Sequence, residues 1–482
     1  MSPLLKAKVA SGVLWNALQL LINRGFGFII KLVLARLLFP EEFGLVGMAA
    51  VFTELLVTIN ELGMGAALIQ RKADQLTESH YNTAFWSAIG FSTLLFLIIA
   101  FGLGPLAAMF YEEPVLATIM PVMGSSVLIR PLNLIHQVKL TRKLDFKTQA
   151  IITNSSNIIA GIIAIGLAYS GWGVWSIIAN GLLGGFFAVP FMWRAVKWTP
   201  RFEFSKKCFK DIFGFGVFNT GTNVINYIFS NIDYLIIGKM LGPAILGVYT
   251  LAFTLTDTFR SQLMSVFNQV MFPVYGMHQN NEALLKSSYL KVVKLNSLAI
   301  FPIMVLFIVL GQEIVLYFFG EKWRDAILPL QILSLSVIFH MMVSSNNALI
   351  RGMGYPKLEM KIQLVKALLI YCPLIITGVY YYGIIGASIA ILINKIISVL
   401  IAQYYLRKLV GISVRDSWNN LKECFLATVT AGAVGYFFKS YVTGQVYLAT
   451  VVTLLCYCGI AYMTLGKEII LEFKNLKRGT ER

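Results

Sequence analysis

Charge is scarce in this chain. Of its 482 residues, 13% are Asp, Glu, Lys or Arg, and only 23 of these are acidic; an ordinary soluble domain carries roughly 25% charged residues. Histidine occurs four times and cysteine five. His80, His136, His278 and His340 are scattered, no pair has metal-ligand spacing, and each is expected to pack or to sit at an interface. Cys456 and Cys458 share one apolar stretch and the other cysteines are alone, so neither a disulfide framework nor a metal clip is expected. Asn154 heads an Asn-Ser-Ser triplet, but the cytoplasmic position assigned to it below argues against glycosylation. Together these shortages exclude a soluble catalytic domain, a metalloenzyme of the His-x-x-x-His type and a disulfide-stapled secreted scaffold.

Apolar length fills the space that charge leaves. Hydrophobic residues make up 57% of the chain and the mean hydropathy is +0.73, the balance of an integral membrane protein. Stretches near the roughly 20 residues that cross a bilayer lie at 11–36, 43–69, 80–102, 115–137, 148–168 and 173–193. A second set lies at 212–238, 244–273, 292–310, 327–349, 362–380, 383–406, 423–438 and 446–465. The expected fold is all-α, with about 14 transmembrane helices.

The formal net charge of +17 would suggest nucleic acid in a soluble protein, but here the cations follow the positive-inside rule. Lys139, Arg142, Lys143 and Lys147, and the hinge cations Arg194, Lys197, Arg201, Lys206, Lys207 and Lys210, fall in loops after even-numbered spans; Glu41, Glu42, Glu112 and Glu113 fall in loops of the other side. Both termini are therefore expected in the cytoplasm, with no nucleic-acid partner and a basic face suited to anionic lipids. Lys6 and Lys8 lead into a first span too long for a cleavable signal, so it is expected to stay as an anchor.

The first two spans are spelled a second time at an offset of 203 residues: Asn16 matches Asn219, Asn23 Asn226, Arg36 Lys239, Pro40 Pro243, Gly44 Gly247, Thr53 Thr256, and Glu54 meets Asp257. Six spans per repeat is an even number, so both halves enter the membrane in the same sense. This gives an N-terminal lobe at 1–203, a C-terminal lobe at 204–410, and two extra helices with a tail at 411–482. Repeat-built membrane proteins place their sites at the seam.

Helical geometry directs the polar letters. Asn219, Thr222, Asn223, Asn226, Ser230 and Asp233 form one stripe on the seventh span, and Thr250, Thr254, Asp257, Thr258, Ser261, Ser265 and Asn268 form another on the eighth, with Arg260 at its flank. Thinner stripes, Asn16, Gln19, Asn23, Gly27 and Lys31 with Arg24 beside them, and Glu54, Thr58, Glu61 and Gly65, mark the first two spans. Ionisable groups within spans, also including Arg130, Lys366 and Lys395, cost roughly 2.5–3.5 kcal/mol each if turned to lipid. A wet cavity accounts for the four stripes better than interhelical glue at about 0.6–2 kcal/mol per contact. Its candidate lining is Arg24, Arg130, Arg260, Asn16, Asn23, Asn219, Asn223 and Asn226. Guanidinium forks suit phosphate or an acidic sugar. Glu54, Glu61, Asp233 and Asp257 are candidate charge partners, or the acids of a proton or sodium coupling.

The run from Ala35 to Leu45 (ARLLFPEEFGL), then Ala67 to Arg71 (ALIQR), resembles the opening signature of bacterial polysaccharide exporters and Wzx-type lipid-linked oligosaccharide flippases. The second-half run from Asn231 to Gly242, then Leu246 to Tyr249, and Arg142 with Phe146, are similar too. The likeness is strongest up to about residue 275 and is nearest the colanic acid and teichuronic acid exporters. It implies the fold of the multidrug/oligosaccharidyl-lipid/polysaccharide superfamily, two six-helix lobes around a cavity, and transport of an undecaprenyl-diphosphate-linked repeat unit across the bacterial inner membrane. It also implies no cofactor and no enzymatic step, with polymerase and glycosyltransferase partners in surface polysaccharide biosynthesis. In related peptidoglycan-precursor flippases, cavity arginines on the first and eighth helices match Arg24 and Arg260, and two extra helices flank a lipid-tail groove. A drug antiporter of the same superfamily is the competing expectation. A membrane glycosyltransferase or polymerase would need a larger outer loop than residues 311–327 provide.

Overall fold

Apolar runs in a medium without water must satisfy their backbone internally, and helices do so within one segment. The computed structural model describes residues 22–463 except 24, 61, 62, 280 and 442–447; side chains at 73, 214–223, 225, 262, 263, 265–270, 272, 273, 440 and 441 also lie outside the description. Every regular element among the described residues is helical. Nine segments there are long and apolar enough to cross a membrane. The longest of them, Pro356–Val410, holds two passages, because Gly383 (φ 56°, ψ −136°) interrupts it. Gly242 (φ 80°, ψ 178°) likewise divides Ile232–Met277 just before Pro243. Both glycines adopt a left-handed φ that a side chain would strain; Gly242 stands in an expected loop, and Gly383 at the expected start of a span.

With these breaks, the described residues give fourteen helical passages in the expected order. They are 25–37, Pro40–Asn60 with Met64–Gln70, Glu78 to Tyr111, Leu116 to Arg142, Phe146–Tyr169, Val174–Val196, Lys206 to 241, 243 to Met277, Glu282–Ile314, Ile327–Met341 with Asn346–Gly352, Pro356 to 382, 384 to Val410, Val414–Tyr441, and 448–463. The third and ninth spans, equated by the repeat, each pass into a π-helix near the end, at Ile98–Leu103 and Val315–Phe319. The segment after the ninth span winds into a 3-10 helix, Glu321–Ala326, and fully buries Trp323.

The chain forms two compact units, Met1–Gly247 and Val248–Arg482. In the first, a core of Met64, Leu68, Phe85, Ile135, Val138 and Ile212 is closed by Trp198, whose indole donates to Glu78 at 2.8 Å while Lys139 pairs with the other oxygen at 2.9 Å. His136 is a packing residue, stacked on Trp193 and hydrogen-bonded to the Trp198 carbonyl at 3.1 Å. In the second unit, Tyr275, Leu285, Tyr289, Val293, Leu349 and Leu406 form a comparable core. Its two additional helices pack on the ninth span. Lys439 reaches Glu313 at 2.8 Å and the Val309 carbonyl at 3.1 Å, and Tyr457 donates to the Leu298 carbonyl. Lys286, together with the Ser413 amide and hydroxyl, holds the Asp416 carboxyl down at about 2.

Candidate functional site

The first unit holds an open cavity of about 560 Å³ lined mainly by its second, fourth, fifth and sixth spans. Its polar wall comes from one face of the fourth span, where Ser126, Arg130, Asn133 and Gln137 recur at helical spacing. Glu54 and Asn60 enter from the second span, Thr153 and Asn157 from the fifth. The sixth contributes Gly181, Gly184, Gly185 and Ala188, whose missing bulk leaves backbone as wall. Glu54, Arg130, Asn157 and Gly185 all sit near the middle of their spans, far from either aqueous surface by sequence.

Local chemistry builds this wall. Pro131 lacks an N–H, so the Val127 carbonyl loses its helical donor; the Asn60 amide donates to that carbonyl at 3.4 Å. Ser92 in turn donates to the Asn60 oxygen at 2.8 Å. Asn133 donates to the Gly185 carbonyl at 3.1 Å and ties the fourth span to the sixth. A second chamber of about 170 Å³, lined by Asn23, Asn154, Asn157 and Asn180, adjoins the first through Asn157. The Asn157 amide donates to the Asn23 oxygen at 2.9 Å.

Asn157 fits only because residue 184 has no side chain: a Cβ there would lie 2.3 Å from the Asn157 oxygen. Gly184→Ala is therefore expected to displace Asn157 and break its bond to Asn23, costing about 1–3 kcal/mol as overpacking. Thermal unfolding of the purified protein checks it, and an unchanged midpoint would show that the chamber yields freely.

The structure thus brings together Glu54 and Arg130 in one cavity and places Asn23 in the adjoining chamber. Both spaces are walled entirely by residues of the first unit. In the second unit Asp257 and Arg260 form an ion pair, with the Arg260 Nε 3.0 Å from the carboxylate and a second, shorter contact from Nη2; Nη1 rests on the Met264 sulfur. Asp233 is buried in the first turn of its helix, where the macrodipole favours an acid. Asn226 is exposed. Asn16, Arg24 and Glu61 lie outside the described residues, as do the side chains of Asn219 and Asn223. Thr53 and Thr256, matched by the repeat, line nothing wet: both are buried and donate to carbonyls of their own helices.

A family model described as "Polysaccharide biosynthesis protein" matches residues 33–328. The chain belongs to this family. The match covers the cavity-bearing unit from residue 33 onward and enters the second. Among curated proteins, the chain is similar to the teichuronic acid biosynthesis protein TuaB of Bacillus subtilis (strain 168), with 24% identity over 437 residues, 90% of this chain and 89% of that protein. Among solved structures, it resembles the lipid II flippase MurJ in an inward closed conformation, with a TM-score of 0.72 at 15% identity over 95% of this chain and 100% of the other. It also resembles a multidrug resistance MATE family transporter of the MOP superfamily, with a TM-score of 0.66 at 15% identity over 83% and 98%. Those two likenesses establish the fold of this family member, a multi-pass helical membrane bundle.

Sequence reading singled out Arg130, Glu54 and Asn23 and missed the other amides of the two chambers. Asn60, Asn133, Gln137, Asn157 and Asn180 carry no charge to stand out against apolar neighbours. The spacing of Ser126, Arg130, Asn133 and Gln137 along one face was the available signal.

Proposed function

We propose that this protein translocates a lipid-linked oligosaccharide repeat unit across the bacterial cytoplasmic membrane for surface polysaccharide synthesis, and that it performs no covalent chemistry. The observation that supports it best is a polar cavity at mid-span depth holding Arg130, Glu54 and a set of amides. Such groups are too costly at that depth to retain without a hydrophilic occupant. A diphosphate-linked glycan moved through bare hydrocarbon would leave its polar groups unsatisfied. In the cavity its headgroup is solvated by protein while the polyprenyl tail remains in lipid. Exposure of the cavity then alternates between the two faces, the termini staying cytoplasmic. Arg130, with Arg24, holds the anionic portion, and in the second unit Asp257, ion-paired with Arg260, is the acid for proton or sodium coupling. Glycosyltransferases supply the unit and a polymerase consumes it.

Arg130→Gln tests this reading. Losing a charge-assisted contact of roughly 1.5–3 kcal/mol should lower export about tenfold or more. The lipid-linked unit should accumulate on the cytoplasmic leaflet while protein levels stay normal. Normal surface polysaccharide in this variant removes Arg130 from the path. Drug efflux by the wild type, with no change in lipid-linked sugars on deletion, would favour the antiporter instead.

A further inference from the structure

The amides of the first unit differ from its charges in what they leave unmet. Asn133 and Asn154 are more than nine-tenths buried, at 5% and 9% exposure, and each has an amide oxygen that accepts no hydrogen bond. Asn133 has already committed its N–H to the Gly185 carbonyl, so its open group is an acceptor. Gln137 and Asn180 line the same two chambers, and their side-chain amides pair with no described residue. Asn157 joins the chambers. Gln137 lies two turns from Arg130 on the same face, about 10 Å along the helix.

We propose that this amide-walled region is a subsite for a neutral, hydroxyl-rich sugar residue, separate from the place where the anionic group is held. The proposal rests on the flippase reading and adds to it the chemistry of one compartment. A phosphate oxygen only accepts hydrogen bonds and would engage only the N–H groups of Gln137 and Asn180; a sugar hydroxyl both donates and accepts, as a mixed set of amide oxygens and N–H groups requires. The glycines at 181, 184 and 185 remove side chains from one wall, so a flat ring can lie against backbone. The larger chamber's volume of about 560 Å³ falls within the roughly 300–1,000 Å³ of small-molecule sites. The geometry therefore divides recognition along the fourth span: charge at Arg130, hydroxyls from Asn133 to Gln137 and on past Asn157.

The test is native mass spectrometry of the full-length protein in nanodiscs, with two probes: undecaprenyl diphosphate, and undecaprenyl diphosphate carrying one neutral hexose. The wild type should bind the hexose-bearing lipid about tenfold more tightly, the worth of one or two net hydrogen bonds. Asn154→Leu and Gln137→Leu should bring that ratio near one without changing affinity for the bare lipid. Among the described residues Gln137 has no side-chain partner, so its variant breaks no described hydrogen bond. Arg130→Gln should weaken both lipids alike. Equal binding of the two lipids by the wild type, as a merely water-filled chamber would give, overturns the subsite and leaves the flippase reading standing. A hexose preference that survives both amide variants, or loss of both lipids in Gln137→Leu, overturns it as well. Failure of the wild type to bind either lipid sinks both readings.

Discussion

Alanine at Gly44 will lower the thermal midpoint of the purified protein, alanine at Gly247 will lower it comparably, and the double variant will lose little more than either single one. A Cβ on Gly44 would stand 1.7 Å from the Pro243 carbonyl oxygen, and a Cβ on Gly247 would stand 1.7 Å from the Pro40 carbonyl oxygen. Carbon and oxygen approach to about 3.3 Å at closest, so either substitution forces this crossing open by roughly 1.5 Å. Both obstacles are backbone and neither can rotate aside. Pro40 and Pro243 each begin a helix, the position that a missing N–H suits, and each glycine follows one turn later on the same face. The two first turns therefore meet reciprocally, each glycine against the other's proline. Overpacking of this kind costs about 1–3 kcal/mol. Once one alanine has opened the crossing, the second has room, which makes the pair strongly non-additive. A double-mutant cycle on thermal unfolding measures the coupling. Additive losses would show that the two contacts are independent.

This crossing also shows what the repeat meant. Pro40 with Pro243, and Gly44 with Gly247, match at the same offset because they build one symmetric contact. Thr53 and Thr256 match because each satisfies itself within its own helix. The sequence displayed the duplication, the span count and the breaks at Gly242 and Gly383, since hydropathy and backbone freedom act locally. It displayed Arg130 and Glu54 because charge in an apolar span is conspicuous. It did not display that the fourth, fifth and sixth spans wall a cavity around Asn133 and Asn157. Periodicity assigns a residue to a helix face, but which face meets which is decided by packing, as where Gly184 lets Asn157 approach. The stripes on the seventh and eighth spans drew attention to the second half, and there the described contact is the local pair Asp257 and Arg260.

Arg142→Met will loosen the segment that follows the second span and expose it to protease. The helix Met64–Gln70 ends with carbonyls that its own backbone cannot satisfy. Arg142, arriving at the end of the fourth span, donates from Nη1 to the carbonyls of Leu68 at 2.7 Å, Ile69 at 3.1 Å and Arg71 at 2.8 Å. A cation at a helix C-terminus gains from the macrodipole as well as from the hydrogen bonds. The clamp closes over the core of Leu68, Ile135 and Val138, and next to it Arg71 pairs with Asp211 at 2.9 Å, fastening the seventh span to the same corner. Methionine keeps the aliphatic bulk and removes every donor. At roughly 1.5–3 kcal/mol for a hydrogen bond to a charged group, losing this set should cost about 3 kcal/mol or more. That raises the population of the locally opened segment about a hundredfold, so trypsin should cut faster at Arg71 or Lys72. Arg142→Lys should rescue much of the loss, because all three carbonyls are reached from the one nitrogen Nη1 and an ammonium likewise offers its donors from a single nitrogen. No rescue by lysine would mean that the reach and shape of the guanidinium, and not the donors of one charged nitrogen, hold this corner; an unchanged cleavage rate in Arg142→Met would mean that the core holds it without Arg142.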